Sequence, residues 1–365
     1  MTFIPILPEF YAKHLPGGAS PYSGSTDTGG VSPMEAEASP MTQVTQKVFE
    51  EIREAEEGKV AEAASASRPK ISINFALSVN PAEDRLAAAL SGIDSLGYKR
   101  SDFSSWTSLS RGGSGEVFLA VHEELGMAYA VKSFYSDCME WPLQEYLIRE
   151  LSLTSGFDHP NIVNTIGYFK DAGSYYLVMD YMSGGDLFDK VQASETLDLE
   201  AIKLFTPQIA KGLSYLHEKG ILYRDLKLEN ILLDESQTLV KLADFGVIKP
   251  LSIEERTLTA CGSESYLAPE MIMGRRAASG GYGLAIDWWA LGVSLYIMTV
   301  GYPPFRGKGS MQVYRQILEG ALVFPEEILS NPEYSSLVDL IQGLLQKNPR
   351  ERLQEDALLH PFLLA

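Results

Sequence analysis

Two cysteines in 365 residues, Cys138 and Cys261, are too few for a disulfide framework. Such sparing use fits a reducing, intracellular setting, cytoplasmic or nuclear. Long apolar runs are also missing: no stretch approaches the roughly 18 uninterrupted apolar residues of a membrane helix. Met1–Phe10 is apolar, but it has no basic leader and Pro5 and Pro8 interrupt it, so it does not read as a secretory signal. Positive charge is scarce, with 30 Lys and Arg against 48 Asp and Glu, a net charge of −18 and a pI near 4.7. That balance argues against nucleic acid or anionic membranes as partners. The acidity serves either solubility or an acidic face that attracts basic peptides; charge alone does not separate the two. No segment repeats.

Apolar residues make up 45% of the chain, enough for a sizeable core. The length fits one two-lobed domain plus an extension, or two domains. Residues 1–40 are rich in Pro, Gly, Ser and Thr and are predicted to be disordered. Between Thr42 and Ala66, Val44, Val48, Ile52 and Ala55 fall three or four apart among glutamates, which predicts an amphipathic helix over 42–66. This helix could pack on the rest of the chain, bind a partner, or stand as a marginal solvated helix. A second helix is expected after Pro81, through Leu86–Leu90. Residues 1–102 thus read as an N-terminal extension and 103–365 as the main domain. From Phe103 onward, strand-like runs (Glu116–His122, Met127–Phe134, Ser174–Tyr181) precede long helical stretches. That order predicts an α+β fold, a small β-rich lobe followed by a larger α-helical lobe.

The chemistry is concentrated in Tyr223-Arg224-Asp225-Leu226-Lys227-Leu228-Glu229-Asn230 and in Ala243-Asp244-Phe245-Gly246. Asp225 can accept the proton of an attacking hydroxyl. Asn230 and Asp244 are hard oxygen ligands suited to Mg²⁺, and Lys227 can neutralise charge on a transferred phosphate. Upstream, Leu109-Ser110-Arg111-Gly112-Gly113-Ser114-Gly115-Glu116-Val117 is glycine-rich, as a loop must be if its backbone N–H groups are to approach phosphates closely. Lys132 in Ala130-Val131-Lys132 alternates with apolar residues. It either points into a cleft or snorkels to solvent, and the neighbouring motifs favour the cleft.

Taken in order, these motifs resemble the eukaryotic protein kinases, from about Phe103 to the C-terminus. The resemblance implies a bilobal fold with ATP between the lobes, Mg²⁺ as its companion, and transfer of the γ-phosphate to protein hydroxyls. It places Leu109, Ser110, Gly112, Gly113 and Gly115 over the phosphates, and pairs Lys132 with Glu150 as the helix glutamate. Met179 becomes the gatekeeper, Asp180 and Met182 the adenine-binding backbone, and Val117, Ala130 and Leu232 the ring's apolar sandwich. Lys227, two residues after Asp225, is the serine/threonine arrangement. Tyr223, Asp287-Trp288-Trp289, Gly301-Tyr302-Pro303-Pro304-Phe305 and Arg256-Thr257-Leu258-Thr259 are similar to the cyclic-nucleotide-dependent (AGC) branch.

Within that resemblance Thr259 matches an activating phosphorylation site, with Arg224 and Lys249 as the cations that would grip the phosphate. Glu270 of Ala268-Pro269-Glu270 is expected to pair with Arg352, and Asp287 to anchor the catalytic-loop backbone. Asp186 and Glu229 match acidic positions that read a basic residue ahead of the phosphoacceptor. Two further acidic positions of that branch hold Ile297 and Ser265. Arg275-Arg276-Ala277-Ala278-Ser279 is a solvated insertion or an autophosphorylation site. Partners follow as basic protein substrates, an upstream kinase and a regulatory subunit acting in trans.

The chain departs from the pattern in places. Ser110 replaces the first loop glycine and Leu228 a usual proline. Thr154 and Thr165 occupy positions that are usually aliphatic in the spine with Tyr223 and Phe245, where unpartnered hydroxyls would destabilise the stack. The sequence stops at His360–Ala365, just past the kinase core, without the C-terminal tail of the AGC branch. Ser110, Thr154 and Thr165 keep a catalytically weak, pseudokinase-like scaffold as the alternative.

Overall fold

The computed structural model describes residues 96–112, 115–135, 154, 156–172, 174–246, 249–250, 264–273 and 282–364. Every described residue lies within Pro69–Ala365. The expected disorder over 1–40, the helices over 42–66 and after Pro81, and Cys138, Cys261, Gly113, Glu150, Thr259 and the Arg275–Ser279 insertion lie outside the described residues.

Five antiparallel strands form the small lobe: β1 (Phe103–Gly112), β2 (Gly115–His122), β3 (Met127–Tyr135), β4 (Thr165–Asp171) and β5 (Ser174–Asp180), in the order β1-β2-β3-β5-β4. The three strand-like runs became β2, β3 and β5. Two strands were not anticipated. β1 carries the largely polar run Ser104-Ser105-Trp106-Thr107-Ser108, and its register slips twice against β2. β4 is broken at Gly167, where its register slips against β5.

One face of the sheet is sealed by aromatic rings. Phe169 stacks between Phe103 (5.5 Å) and Tyr176 (4.6 Å), with Ala120, Tyr129, Val131 and Val178 buried around them. Residues before β1 belong to this packing. Tyr98 meets Phe103 edge-on at 5.6 Å, the Leu96 N–H donates to Tyr168 O, and the Arg100 N–H donates to Asp171 Oδ2.

The larger lobe is helical. α1 (Leu187–Ser194) starts at Asp186, whose side chain accepts the Asp189 N–H at 2.8 Å. α2 (Leu199–Glu218) starts at Asp198, which caps Ala201 in the same way. In α2 the buried Ile202, Phe205, Ile209, Leu213 and Leu216 recur every three or four residues, the stripe that faces a core. Each such side chain contributes about 1.5–3 kcal/mol on burial. Short strands follow: β6 (Ile221–Leu222), β7 (Ile231–Leu233), β8 (Val240–Leu242) and β9 (Lys249–Pro250). Then come α3 (Pro269–Met273) and α4 (Ala285–Val300).

α4 is apolar all round and nearly every residue is buried, with Trp288 and Trp289 fully enclosed; it is the lobe's central rod. It stops at Gly301, whose left-handed φ of 83° closes the last turn and whose missing Cβ lets Glu195 O approach. α5 (Ser310–Glu319), α6 (Glu326–Leu329), α7 (Ser335–Leu344) and α8 (Pro361–Leu364) complete the lobe.

The expected Glu270–Arg352 pair is present. Arg352 Nη1 and Nη2 reach the two Glu270 oxygens at 2.6 and 2.9 Å, while Nη1 also donates to Ala285 O and Nε to Gln346 O. Among the described residues no helix is long and apolar enough to cross a membrane.

Candidate active site

β7 and β8 form a hairpin-like pair that carries the two chemical motifs to one place. The 3₁₀ turn Leu228–Asn230 leads into β7, and β8 leads out to Ala243-Asp244. The Ala243 N–H donates to Asn230 O at 2.9 Å, so the backbone itself fixes Asn230 beside the residue preceding Asp244. Tyr223 Oη donates to Ala243 O from the other side, and the Tyr223 and Phe245 rings pack at 5.6 Å. Phe157, which the sequence did not single out, adds a third ring against Phe245 at 5.3 Å. Thr154 is fully buried and Thr165 opens β4 opposite Met179.

Asp225 is mostly buried, and its Oδ2 accepts from Lys227 Nζ at 2.8 Å and from Asn230 Nδ2 at 3.0 Å. Burial pushes its carboxyl above the usual range, against the pull of Lys227 and Asn230. A carboxylate raised in this way is a better proton acceptor near neutral pH. Burial also acts against the Lys227 cation, but Asp225, Glu229 and Asp244 outweigh it and its pKa lies above the ordinary value. Asn230 is buried and spends Nδ2 on Asp225, leaving Oδ1 as the atom suited to a hard cation.

Lys132 stands on β3 between Val117 of β2 and Leu177 of β5. Its side chain is 5% exposed, and Nζ lies 3.2 Å from Asp244 Oδ1 and 5.4 Å over the Phe134 ring. The lysine therefore turns into the cleft. Asp244 sits on the cleft floor, hemmed in by the chain yet with half of its side chain open. Burial would raise its carboxyl, but the Lys132 cation wins and holds it below the usual range. Asp244 stays ionised, as a cation ligand must.

Two residues here carry left-handed backbone without being glycine: Asp244 at φ 54° and Arg224 at φ 70°. Each conformation costs on the order of 1–3 kcal/mol and persists only under restraint. For Arg224 the restraint is Asp287, whose Oδ1 accepts the Arg224 N–H at 2.8 Å and whose Oδ2 accepts the Tyr223 N–H at 2.9 Å. The anchoring role expected of Asp287 is thus met.

The glycine-rich loop is the β1–β2 turn, with Gly112 paired to Gly115. Gly115 is required: at φ 149° a Cβ there would stand 2.4 Å from Ser133 O. Ser110 lies in β1, exposed and opposite Val117, next to a bulge; Leu109 is also exposed. Arg111 and Ser108 both bind the Glu116 carboxylate, Arg111 most strongly, and lower its pKa. At the back of the cleft Met179 pairs with Ala130 and Asp180 with Tyr129, just before Met182. Leu232 lies in β7 opposite Lys241. Lys241 Nζ binds Asp180 Oδ2 at 2.8 Å, a tie between β8 and the inter-lobe connection that no local pattern announced.

Asp186 and Glu229 approach each other where α1 meets the Leu228–Asn230 turn. Burial raises both carboxyls, the Asp186 charge adds to the rise at Glu229 and the Asp189 charge to that at Asp186, and Glu229 Oε2 is buried without a hydrogen-bond partner. In the activation segment only the ends are described. β9 pairs Lys249 with Leu222 and so brings its backbone alongside the chain that leads to Arg224.

The Protein kinase domain profile matches residues 103–363. Over 246 residues the chain is 37% identical to the cAMP-dependent protein kinase catalytic subunit of Dictyostelium discoideum, covering 67% of this chain and 36% of that protein. It is 34% identical over 272 residues to cAMP-dependent protein kinase type 3 of Saccharomyces cerevisiae, covering 73% and 65%. The Aurora kinase of Eremothecium gossypii is 33% identical over 269 residues, covering 73% and 70%. The chain thus spans between about a third and just over two thirds of the length of these relatives. By fold, by the order of its cleft residues and by these matches, the chain belongs to the protein kinase family, on its serine/threonine side and with a core like that of the cAMP-dependent kinases.

Proposed function

We propose that this chain is an ATP-dependent protein serine/threonine kinase, with residues 103–365 as its catalytic domain and 1–102 as an extension. The observation that carries the reading is the linked set of Lys132, Asp244, Asn230, Asp225 and Lys227 in one cleft. Asp225 is the base for the substrate hydroxyl, and Lys227 steadies the phosphoryl group in flight. Lys132 holds the α- and β-phosphates and pairs with Glu150. Asn230 and Asp244 supply an amide oxygen and an ionised carboxylate, the donor set that fits Mg²⁺ alongside nucleotide phosphates. Bound there, Mg²⁺ would neutralise charge on the nucleotide phosphates. Leu109, Ser110, Gly112, Gly113, Gly115, Val117, Ala130, Met179, Asp180, Met182 and Leu232 enclose the nucleotide.

The substrates in this reading are intracellular proteins with a basic residue before the acceptor, read by Asp186 and Glu229. Two half-buried carboxylates whose pKa burial raises gain from an incoming cation. Thr259 is the activating phosphosite, gripped by Arg224 and Lys249, and an upstream kinase and a regulatory subunit are the further partners. Incubation with Mg·ATP and a basic serine peptide tests the chemistry. Wild type should transfer phosphate and Asp225→Asn should lose at least about a hundredfold in kcat. Equal turnover by the two proteins would end the assignment. Thr259→Ala should lower turnover severely while leaving the unfolding midpoint in place; full activity in that variant would remove the switch.

A further inference from the structure

The restraint on the strained catalytic loop extends to the 3₁₀ turn Glu355–Leu359. Asp287 Oδ2, which accepts the Tyr223 N–H, also faces His217 Nε2 of α2 at 2.8 Å. The opposite ring nitrogen, Nδ1, lies 3.3 Å from Glu355 Oε1, within ion-pair range though off the line of a good hydrogen bond. Glu355 opens the 3₁₀ turn Glu355–Leu359, just after the Arg352 anchor. The His217 and Asp287 side chains are each 1% exposed, whereas Glu355 is about half exposed.

We propose that Glu355 is a positioning residue for phosphoryl transfer, acting through His217 on Asp287 and so on the peptide that presents Asp225. The proposal rests on the kinase reading above. A neutral imidazole can donate to only one of two carboxylates, whereas the imidazolium donates to both. Burial pulls the His217 pKa down, but Asp287 and Glu355 together outweigh it and raise it to about 9. His217 in turn holds the Glu355 carboxyl below its usual range. Among the described residues, the other groups around the ring carry no opposing charge. From α4 comes the edge of Trp288 at 5.7 Å, and from α2 the Ser214 hydroxyl, which binds Glu355. From the loop come the backbone amides of Tyr223 and Arg224. His360, at the end of the same 3₁₀ turn, pairs with Asp339 instead.

The sign follows from linkage. The folded pKa of His217 exceeds its unfolded value of 6.5, so the clamp is complete below 6.5 and is lost as pH rises through about 9. Removing the Glu355 charge lowers the folded pKa, and the loop loosens at a lower pH.

The test uses the full chain as wild type, Glu355→Gln and Glu355→Asp, with three readouts across pH 6–10. These are the NMR titration of the His217 ring, exchange protection of the Tyr223 and Arg224 amides, and kcat and KM for Mg·ATP and a basic serine peptide. In Glu355→Gln the His217 midpoint should fall by about one unit, and amide protection should drop about tenfold between the two midpoints. The alkaline limb of kcat should move with them while KM for ATP stays put, and Glu355→Asp should recover part of each change. An unchanged His217 titration, or unmoved protection and kcat profiles, would overturn the proposal. The first two readouts need no turnover, so an inactive wild type would defeat the kinase reading while the His217 relay is still decided.

Discussion

Replacing Arg352 with methionine would leave one carboxylate and three carbonyls without their donor. The guanidinium makes a two-pronged contact with Glu270 and single contacts with Ala285 O, Gln346 O and Lys347 O, and it lies 5.0 Å from the Trp289 ring. Arg352 is fully buried and the Glu270 side chain is only 15% exposed, so water cannot readily replace the lost partner. Breaking such a pair from one side costs about 3–5 kcal/mol, a large part of the ~5–15 kcal/mol that holds a domain together. At roughly 2–4 °C per kcal/mol for a domain near this size, the melting point should fall by about 6–20 °C. Urea unfolding followed by tryptophan fluorescence reads the change close to its origin, because Trp289 faces the guanidinium. The Glu270→Gln, Arg352→Met double variant should recover part of the loss, since no charge is then stranded. A single variant within about 1 kcal/mol of wild type, or a double variant less stable than Arg352→Met, would refute the argument that the stranded carboxylate dominates.

Burial raises the carboxyls of Asp186 and Glu229, so their protonation begins above the ordinary carboxylate range as pH falls. KM for a peptide with arginine before the acceptor should therefore climb on mild acidification. Glu229→Gln should raise KM about tenfold at neutral pH and flatten that dependence; an unchanged KM would count against this acidic pair as the reader. Gly115→Ala drives a methyl group into Ser133 O. By displacing the loop it should cut kcat/KM for ATP about 10- to 100-fold, while the same substitution at the exposed Ser110 should do far less.

The parts of the site that were legible in the sequence are those that lie close together along the chain. Asp225, Lys227 and Asn230 share one loop, and their mutual contacts are local. The alternation around Lys132 was equally readable, because a strand turns every second residue to the same face. β1 was not readable: its four serines and Thr107 are hydrogen-bonding residues on an exposed, twice-bulged edge strand, so no apolar alternation marks it. The couplings between distant residues were hidden as well. Lys241 and Asp180 are 61 residues apart, and His217 and Asp287 are 70 apart. Nothing local in the sequence marks Lys241 or His217. Only tertiary proximity gives Lys241 a hinge partner and His217 two carboxylates.

Leu96–Asp102 precede the segment that the family profile matches, yet they close the aromatic layer of the small lobe through Tyr98 and two backbone contacts. An expression boundary drawn at Phe103 would therefore uncover Phe103 and Phe169 and strip the edge of β4. The trimmed product should be stickier, and the nucleotide-covering strands above it less steady. A truncation meant only to shorten the protein would in effect alter its ATP-handling half.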